Sequence, residues 1–600
     1  MCGIAGVVAL DGLDYQTQIY DMNADVERRG PDDSGYYRYE NVFLGHRRLS
    51  VIDLSSAGHQ PMTRGELALS YNGEIYNYVE LREELKERGH SFRTDTDTEV
   101  LLAAYAEWGQ DCVNHFDGMW SFAVLDKERE ELFCSRDRFG EKPFYWHSGK
   151  FGFAFGSTLR QLHRFTGSRT ANPAVLTEYL VRGLEDCGSE TIFEGLHRLE
   201  PGTNVTVSTR TGSLSISRYY TPGTSSEFVG IESDQVLPTL AVEFDRTLTR
   251  MLRSDVAVGT ALSGGIDSSL IASRAATISG AAQKYSAISV LSGDQKNDEA
   301  VFAEQVASSS GIAWHPLLAS RDLVAEAMAQ VFDVHDVPVG GPSIAMQFLL
   351  MRAASEAGLT VLLDGQGADE CWLGYPRYWA AAISERRVPV RPRLAWQAAQ
   401  KSGLGLVRLS LLLGYFGSPR TADYRNRRRW GFLREDLLNT LTRNSVIERH
   451  SPSSVKQMQT LELIKYGVPH LLRLEDTNSM HFSIESRLPF LDRRLVELAL
   501  AAPTCEKLHD GWSKYPLRQL LANSASPEIA WRKKKVGFEA PTFAWSPAGD
   551  ATSQIVSQSP FVKSLVKRGA MLNLGDAMVQ WRLFSVARWA ECHNVQNLER

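Results

Sequence analysis

The chain changes its hydrophobic rhythm about a third of the way along. Up to residue 220 the apolar positions fall mostly in short alternating runs, such as Val42-Phe43-Leu44, Leu67 to Tyr71, Trp120 to Leu125 and Phe151 to Phe155. A period of two puts such side chains on one face of a pleated strand, so this part reads as antiparallel sheets packed face to face. Helical spacing is rarer here, with Val79 to Arg88 and Glu99 to Trp108 among the few stretches. Thr221-Pro222-Gly223-Thr224-Ser225-Ser226-Glu227 has linker composition, and beyond it strands alternate with longer helical patterns, as in a parallel α/β sheet. The pattern predicts an α+β domain over 1–220, a linker over 221–235 and an α/β domain with a helical C-terminal part over 236–600, the break falling near residue 225. No internal repeat or low-complexity tract is visible. Val388-Pro389-Val390-Arg391-Pro392-Arg393 predicts a break in the helical tail. Leu404 to Phe416, apolar but interrupted by Arg408, is too short to span a bilayer and reads as a buried helix.

Two apolar runs of the second domain end in candidate chemistry. Val256 to Leu262 reads as a buried strand that turns through Ser263-Gly264-Gly265-Ile266-Asp267-Ser268-Ser269 into a helix from Leu270 to Thr277. A strand, a serine- and glycine-rich turn and a helix N-terminus make a cradle for a phosphate. The Gly-Lys-Ser/Thr ending of a Walker A loop is absent. Val361-Leu362-Leu363 is a second apolar strand, ending in Asp364-Gly365-Gln366-Gly367-Ala368-Asp369-Glu370. Two strand ends thus carry acids toward one site; Glu370 reads equally as a structural ion-pair partner. At the other end of the chain, Cys2 becomes the first residue once Met1 is trimmed. Its thiol and α-amine then form a nucleophile with a built-in general base, because an α-amine titrates at about 7.7 to 8.0.

Composition narrows the setting. At 600 residues, 43% hydrophobic and 23% charged, the chain is an ordinary multidomain globular protein. A net charge of -6 and a pI near 6.2 give it no pull toward nucleic acid or an acidic membrane. The basic clusters Arg425 to Arg429 and Lys533 to Lys535 are local. Seven cysteines form no Cys-x-x-Cys pair, which fits a reducing cytoplasm better than a disulfide scaffold or a zinc site. No secretory signal pattern opens the chain.

A set of ordered motifs then identifies a resemblance. Cys2-Gly3-Ile4, Arg29-Gly30-Pro31-Asp32-Asp33-Ser34-Gly35, His46 to Asp53, Tyr71 to Asn77, Thr96-Asp97-Thr98-Glu99-Val100 and Arg136 to Gly140 resemble the glutaminase domain of class II glutamine amidotransferases. Ser263 to Ser269, Asp364 to Glu370, Leu474 to Met480, Glu485 to Asp492 and Ile529 to Phe538 extend the resemblance to the glutamine-hydrolysing asparagine synthetase family over most of the chain. It implies an N-terminal nucleophile sandwich followed by an ATP-pyrophosphatase domain of the adenine nucleotide α-hydrolase kind. For the first domain it implies Cys2 as nucleophile, Asn72 and Gly73 as oxyanion donors, and Arg48, Val51, Ile52, Asn72, Glu74 and Asp97 around the glutamine. Arg48 would hold the α-carboxylate, as a planar guanidinium can, and Asp97 the ammonium. For the second it implies ATP bound by Leu262, Ser263, Gly264, Gly265, Asp267, Ser268, Ile288, Asp364 and Gly365, with Mg2+ on Asp267 and Asp369. Lys535, placed by the Gly537-Phe538 pair, would face the pyrophosphate, with Glu475 as its partner; Lys533 and Lys534 read as solvated surface. An internal ammonia passage is implied, and a homodimer is admitted.

The acceptor stays open. The resemblance favours aspartate, giving asparagine, AMP and pyrophosphate. Val337 and Gly341 stand where the family usually has acids, Thr158 replaces an expected glutamate in a segment expected near the domain interface, and Gln366 stands where some relatives carry glutamate or tyrosine. Those departures support amidation of a different carboxylate by the same chemistry. Ring closure to a β-lactam fits less well, since relatives of that kind tend to lose the cysteine. A non-enzymatic homologue would show eroded sites, and the motif residues are intact.

Overall fold

The structure is a computed structural model that describes residues 2–280, 285–292, 299–385, 391–401, 419–441, 454–524, 527–533, 550–572 and 574–598, with single positions at 405, 409, 411 and 413. Alternating runs in the first part become two six-stranded antiparallel sheets. The first has the order His197–Arg198, Tyr145–Gly149, Gly152–Gly156, Gly3–Ala9, Val42–Arg48, Asp33–Tyr39. The second runs Leu214–Arg218, Thr203–Ser208, Glu131–Arg136, Gly118–Asp126, Leu67–Ile75, Met62–Arg64. Strand period explains their stacking. Ile4, Val8, Val42 and Leu44 of the first sheet meet Ala68, Ala123, Leu125, Val205 and Val207 of the second in one buried cluster. The opposite faces take helices: Ala5, Val7 and Ala9 pack on Ile19, Leu159 and Leu162, and Leu69, Tyr71, Phe122 and Val124 on Leu81 and Val100 to Tyr105. Two antiparallel sheets packed face to face are the architecture the resemblance implied for this part. The strand Gly3–Ala9, which follows Cys2, lies between two partners.

The second part is a five-stranded, fully parallel sheet in the order Ala313–Leu318, Ser286–Leu291, Val258–Ala261, Val361–Leu363, Glu485–Arg487. Both faces are covered, as parallel sheets require. Helices Ser233–Met251, Ile266–Ser279 and Ala300–Ser310 join one apolar cluster, and Arg321–Val334, Ile344–Glu356 and Ala577–Cys592 another. The helix Ser233–Met251 begins inside the stretch expected as linker. Of the stretch 388–393, expected to interrupt the helical tail, 388–390 lie outside the described residues; one helix ends at Glu385 before it and the helix Arg391–Lys401 begins within it. Proline in a helix's first turn lacks only an N–H that has no acceptor there, so Pro392 suits this helix start. The apolar stretch 404–416 lies almost wholly outside the described residues.

The two parts share a core. Leu162 and Tyr179 of the sandwich belong to the same cluster as Val331, Phe348 and Trp589. Polar ties close the seam: Tyr179 Oη donates to the Val339 carbonyl at 2.9 Å, Arg582 to that of Leu180 at 2.7 Å, and Arg160 N–H to Asp336 at 3.0 Å beside Thr158. Among the described residues no helix is long and apolar enough to cross a membrane.

Candidate active sites

The first site forms where the strands Gly3–Ala9, Val42–Arg48 and Leu67–Ile75 end together. Cys2, 6% exposed, precedes the first strand, and its backbone nitrogen donates to Asn72 Oδ1 at 2.8 Å. That bond fixes which way the Asn72 amide points, and Asn72 Nδ2 is left buried with no hydrogen-bond partner. Beside it, a Cβ on Gly73 would sit 2.1 Å from the Met119 carbonyl oxygen and 2.7 Å from Trp120 Cα. Only glycine lets this strand approach its neighbour so closely. A small pocket is lined by Cys2, Arg48, Val51, Ile52, Gly73, Glu74 and Asp97, together with Gln60 and Glu485. Past Arg48 and Leu49 a broader groove of about 720 Å3 carries Asp32, Asp33, Ser55 and His59.

Charge in this pocket is held rigidly. Arg48 donates to the carbonyls of Ser55 at 2.8 Å, Ile52 at 3.3 Å and Asp53 at 2.5 Å, three of its five N–H groups. Asp97 Oδ2 accepts from Tyr71 Oη at 2.9 Å and from the Ile75 N–H at 3.0 Å. Burial still pushes the Asp97 carboxyl up. Burial also pushes the Cys2 thiol up, against the positive chain terminus, a Leu49 N–H and Arg48. A thiol in that state needs a base before it can attack.

The second site lies at the C-terminal ends of the parallel strands. Gly264, with φ +77°, turns the chain so that the Ser263 and Ser268 hydroxyls meet at 3.0 Å and the Gly265 N–H reaches Ser263 Oγ at 3.2 Å. The helix Ile266–Ser279 starts there. Leu262 and Ile288 are paired through the Leu262 N–H and the Ile288 carbonyl at 2.9 Å, with both side chains in the core. Gly365 closes the other wall, where a Cβ would come 3.2 Å from that of Asp267. Asp267 Oδ2 and Asp369 Oδ1 converge on one cation, the Lys514 ammonium, at 2.5 and 2.6 Å, and Asp267 Oδ1 is buried without a partner. Hard carboxylate oxygens gathered on one cation, with Asp267 Oδ1 left over, are the donor type a divalent cation would take. Lys514 carried no signal in the sequence beyond its charge, and Lys535 lies outside the described residues.

The expected pairing of Glu475 with Lys535 therefore lies outside the described residues. Glu475 accepts from Ser486 Oγ at 2.5 Å and contacts the Gln347 amide, whose oxygen accepts from Asn478 at 2.9 Å. Burial, then the neighbouring Asp364, pushes Glu475 well up.

One helix, Val468–His481, joins the sites. Next to Glu475, Asp476 takes both Nη atoms of Arg29 at 2.7 and 3.1 Å, while Arg29 Nε donates to the Cys2 carbonyl at 3.1 Å. A cavity of about 420 Å3 opens beside this pair, bounded by Arg29, Thr158, Val337, Arg473, Asp476 and Met480.

Residues 1–220 match the glutamine amidotransferase domain family and residues 239–591 match asparagine synthase. The chain belongs to the asparagine synthase family. It is 32% identical to the glutamine-hydrolyzing asparagine synthetase 3 of Bacillus subtilis over 89% of this chain and 86% of that one. A second synthetase of that organism, number 1, is 29% identical over 91% and 88%. The protein is thus a glutamine-dependent amidotransferase and carbon–nitrogen ligase of the asparagine synthetase type, a family that uses ATP.

Proposed function

We propose that the protein converts aspartate to asparagine, with Cys2 releasing ammonia from glutamine and the parallel-sheet domain forming an acyl-adenylate. The observation that carries the glutamine-hydrolysing half of the reading is Asn72: its oxygen is engaged by the Cys2 nitrogen, and its buried Nδ2 donor is unpaired; aspartate as acceptor is supported by the likeness to asparagine synthetases. An unpaired buried donor costs stability, and a developing oxyanion repays that cost only in the transition state. With Met1 removed, the nitrogen on Asn72 Oδ1 becomes an amine. It takes the thiol proton, sulfur attacks the glutamine side-chain carbonyl, and Asn72 Nδ2 and the Gly73 N–H receive the oxyanion. Arg48 and Asp97 orient the substrate's carboxylate and ammonium.

In the second domain the Ser263 to Ser268 turn would hold the pyrophosphate end of ATP, and Lys514 its growing negative charge. Mg2+ would sit on Asp267 and Asp369 and supply charge neutralisation between phosphates. Glu475, with its raised proton affinity, suits removal of the proton as ammonia attacks. Ammonia would pass between the sites beside Arg29 and Asp476, which tie the Cys2 carbonyl to the helix that carries Glu475.

A second reading, the same chemistry on another carboxylate, rests on Val337 and Gly341. Val337 borders the cavity and packs against the apolar core, so it offers no anion to an amino-acid ammonium. Pyrophosphate release with Mg-ATP and glutamine, with and without aspartate and with products read by mass, separates the two. Aspartate-dependent release with asparagine supports the first; glutamine hydrolysis indifferent to aspartate supports the second.

A further inference from the structure

One side chain in the Cys2 pocket comes from the other domain. Glu485 opens the strand Glu485–Arg487 at the edge of the parallel sheet, anchored by its N–H to the Thr360 carbonyl at 2.7 Å and by the Asp364 N–H to the Arg487 carbonyl at 3.0 Å. Strand alternation gives these three residues two directions. Ser486 bonds Glu475 in the synthetase site. Glu485 and Arg487 point into the sandwich, where Glu485, 1% exposed, lines the pocket with Cys2, and Arg487 meets Glu74. Arg487 Nε donates to Glu485 Oε1 at 2.8 Å, and its Nη1 to the Arg253 carbonyl at 2.8 Å. The carboxylate is therefore fixed from its own strand.

We propose that Glu485 is a positioning residue for glutamine hydrolysis: it holds the α-amine of Cys2 and stabilises the ammonium formed when that amine takes the thiol proton. Nucleophile, base and orienting acid then form a triad in which the acid belongs to the synthetase sheet. The S–H bond breaks as N–H forms, and sulfur bonds to the glutamine side-chain carbon. When the C–N bond breaks, the ammonium returns the proton to the leaving nitrogen, which departs as ammonia.

Of the pocket's three carboxyls, only Glu485 is suited to this. Burial pushes Glu74 well up, with the Glu485 charge adding to it, and Asp97, which already accepts from Tyr71 Oη and the Ile75 N–H, is the acid assigned to the substrate's ammonium. Burial acts on Glu485 in the same sense, but the ammonium of the untrimmed chain and then Arg487 outweigh it and hold the carboxyl low; once Met1 is removed, the terminal charge passes to Cys2, which lines the same pocket. The other charged or titratable groups facing Cys2 are Arg29 through the Cys2 carbonyl, Arg48, and Tyr71 on Asp97. None of them offers an anion to the amine.

The proposal rests on Cys2 as nucleophile, which Cys2→Ala tests separately. In the full-length enzyme, Glu485→Gln keeps the shape and removes the charge. The expected result is a fall of about 10²-fold in glutaminase kcat, with the glutamine KM within about threefold and ammonia-dependent synthesis retained. The acidic limb of kcat/KM against pH should move to lower pH, because an amine without its carboxylate binds protons less tightly. An unchanged kcat and limb, or a raised KM at constant kcat, would overturn the proposal. Should the amide variant also lose ammonia-dependent synthesis, Glu485→Asp decides: a limb at the wild-type position supports the role, and a limb displaced to lower pH overturns it.

Discussion

Replacing Asn72 by alanine tests the glutaminase geometry at its most specific point. Asn72 is fully buried, makes one hydrogen bond through Oδ1 to the Cys2 nitrogen at 2.8 Å, and leaves Nδ2 unpaired. Deleting one oxyanion donor costs about 2.7 to 4 kcal/mol, or about 10² to 10³ in kcat. Stability should respond differently. The substitution loses one hydrogen bond, about 1 kcal/mol, but also removes an unpaired buried donor that costs about 1 to 3 kcal/mol in the native protein. The two nearly cancel, so the melting temperature should move by less than about 4 °C. Glutamate release at saturating glutamine reads the first quantity, pyrophosphate release with ammonium chloride the integrity of the second site, and calorimetry the stability. A glutaminase kcat within about threefold of wild type would refute the assignment of Nδ2 as oxyanion donor, and so would a parallel loss of ammonia-dependent synthesis.

Cys2→Ala should abolish glutamine use while ammonia-dependent synthesis persists; equal loss of both would break the two-site scheme. Lys514→Met should reduce pyrophosphate release by at least about 10²-fold with either nitrogen donor and leave glutamine hydrolysis in place, since its ammonium sits between Asp267 and Asp369. Arg29→Ala or Asp476→Ala alone should destabilise by about 3 to 5 kcal/mol, because each strands a buried charge, and the double variant by much less than their sum. Additive melting shifts would show that the pair carries no coupling. Lys507 is buried, donates to Gln459 Oε1 at 3.0 Å and to the Ala499 carbonyl, and is pushed by burial down to about 7. Unfolded lysine binds its proton up to about pH 10.4, so the unfolded state holds more protons above pH 7 and the wild type gains stability as pH rises. The melting-temperature difference between wild type and Lys507→Met should therefore grow from pH 7 to 9, and a constant difference would contradict this.

Much of this was legible in the chain itself. The strands Leu67–Ile75 and Gly118–Asp126 and the helix Asp97–Trp108 fall where alternation and helical spacing place them, each extending a few residues beyond the apolar run. Backbone pairing continues past the last buried side chain, so such ends carry no apolar mark. The pocket residues Cys2, Arg48, Val51, Ile52, Glu74 and Asp97 do line one cavity, and Asp267 and Asp369 do share one cation. Glu485 and Ser486 stood in a motif of the resemblance with no role attached, and Gln60 and Lys514 had no comparable signal. Each reaches its site from a segment distant in sequence, and an isolated polar residue in a loop or a three-residue strand leaves no periodicity to read.

What the amino-acid order determined by itself is local: period-two runs make sheets, a glycine-rich turn after an apolar strand leads into a helix N-terminus, and Cys2 stands directly before the first strand. What tertiary structure decided is which of these meet. The helix Val468–His481 and the strand Glu485–Arg487 each send adjacent side chains to different domains, Glu475 and Ser486 to the synthetase site, Asp476 and Glu485 toward Cys2. Neighbouring residues on a helix or strand project in different directions by geometry alone. Only the docking of the two domains turns those directions into a shared wall, because the buried charges on it need partners that the chain supplies several hundred residues away.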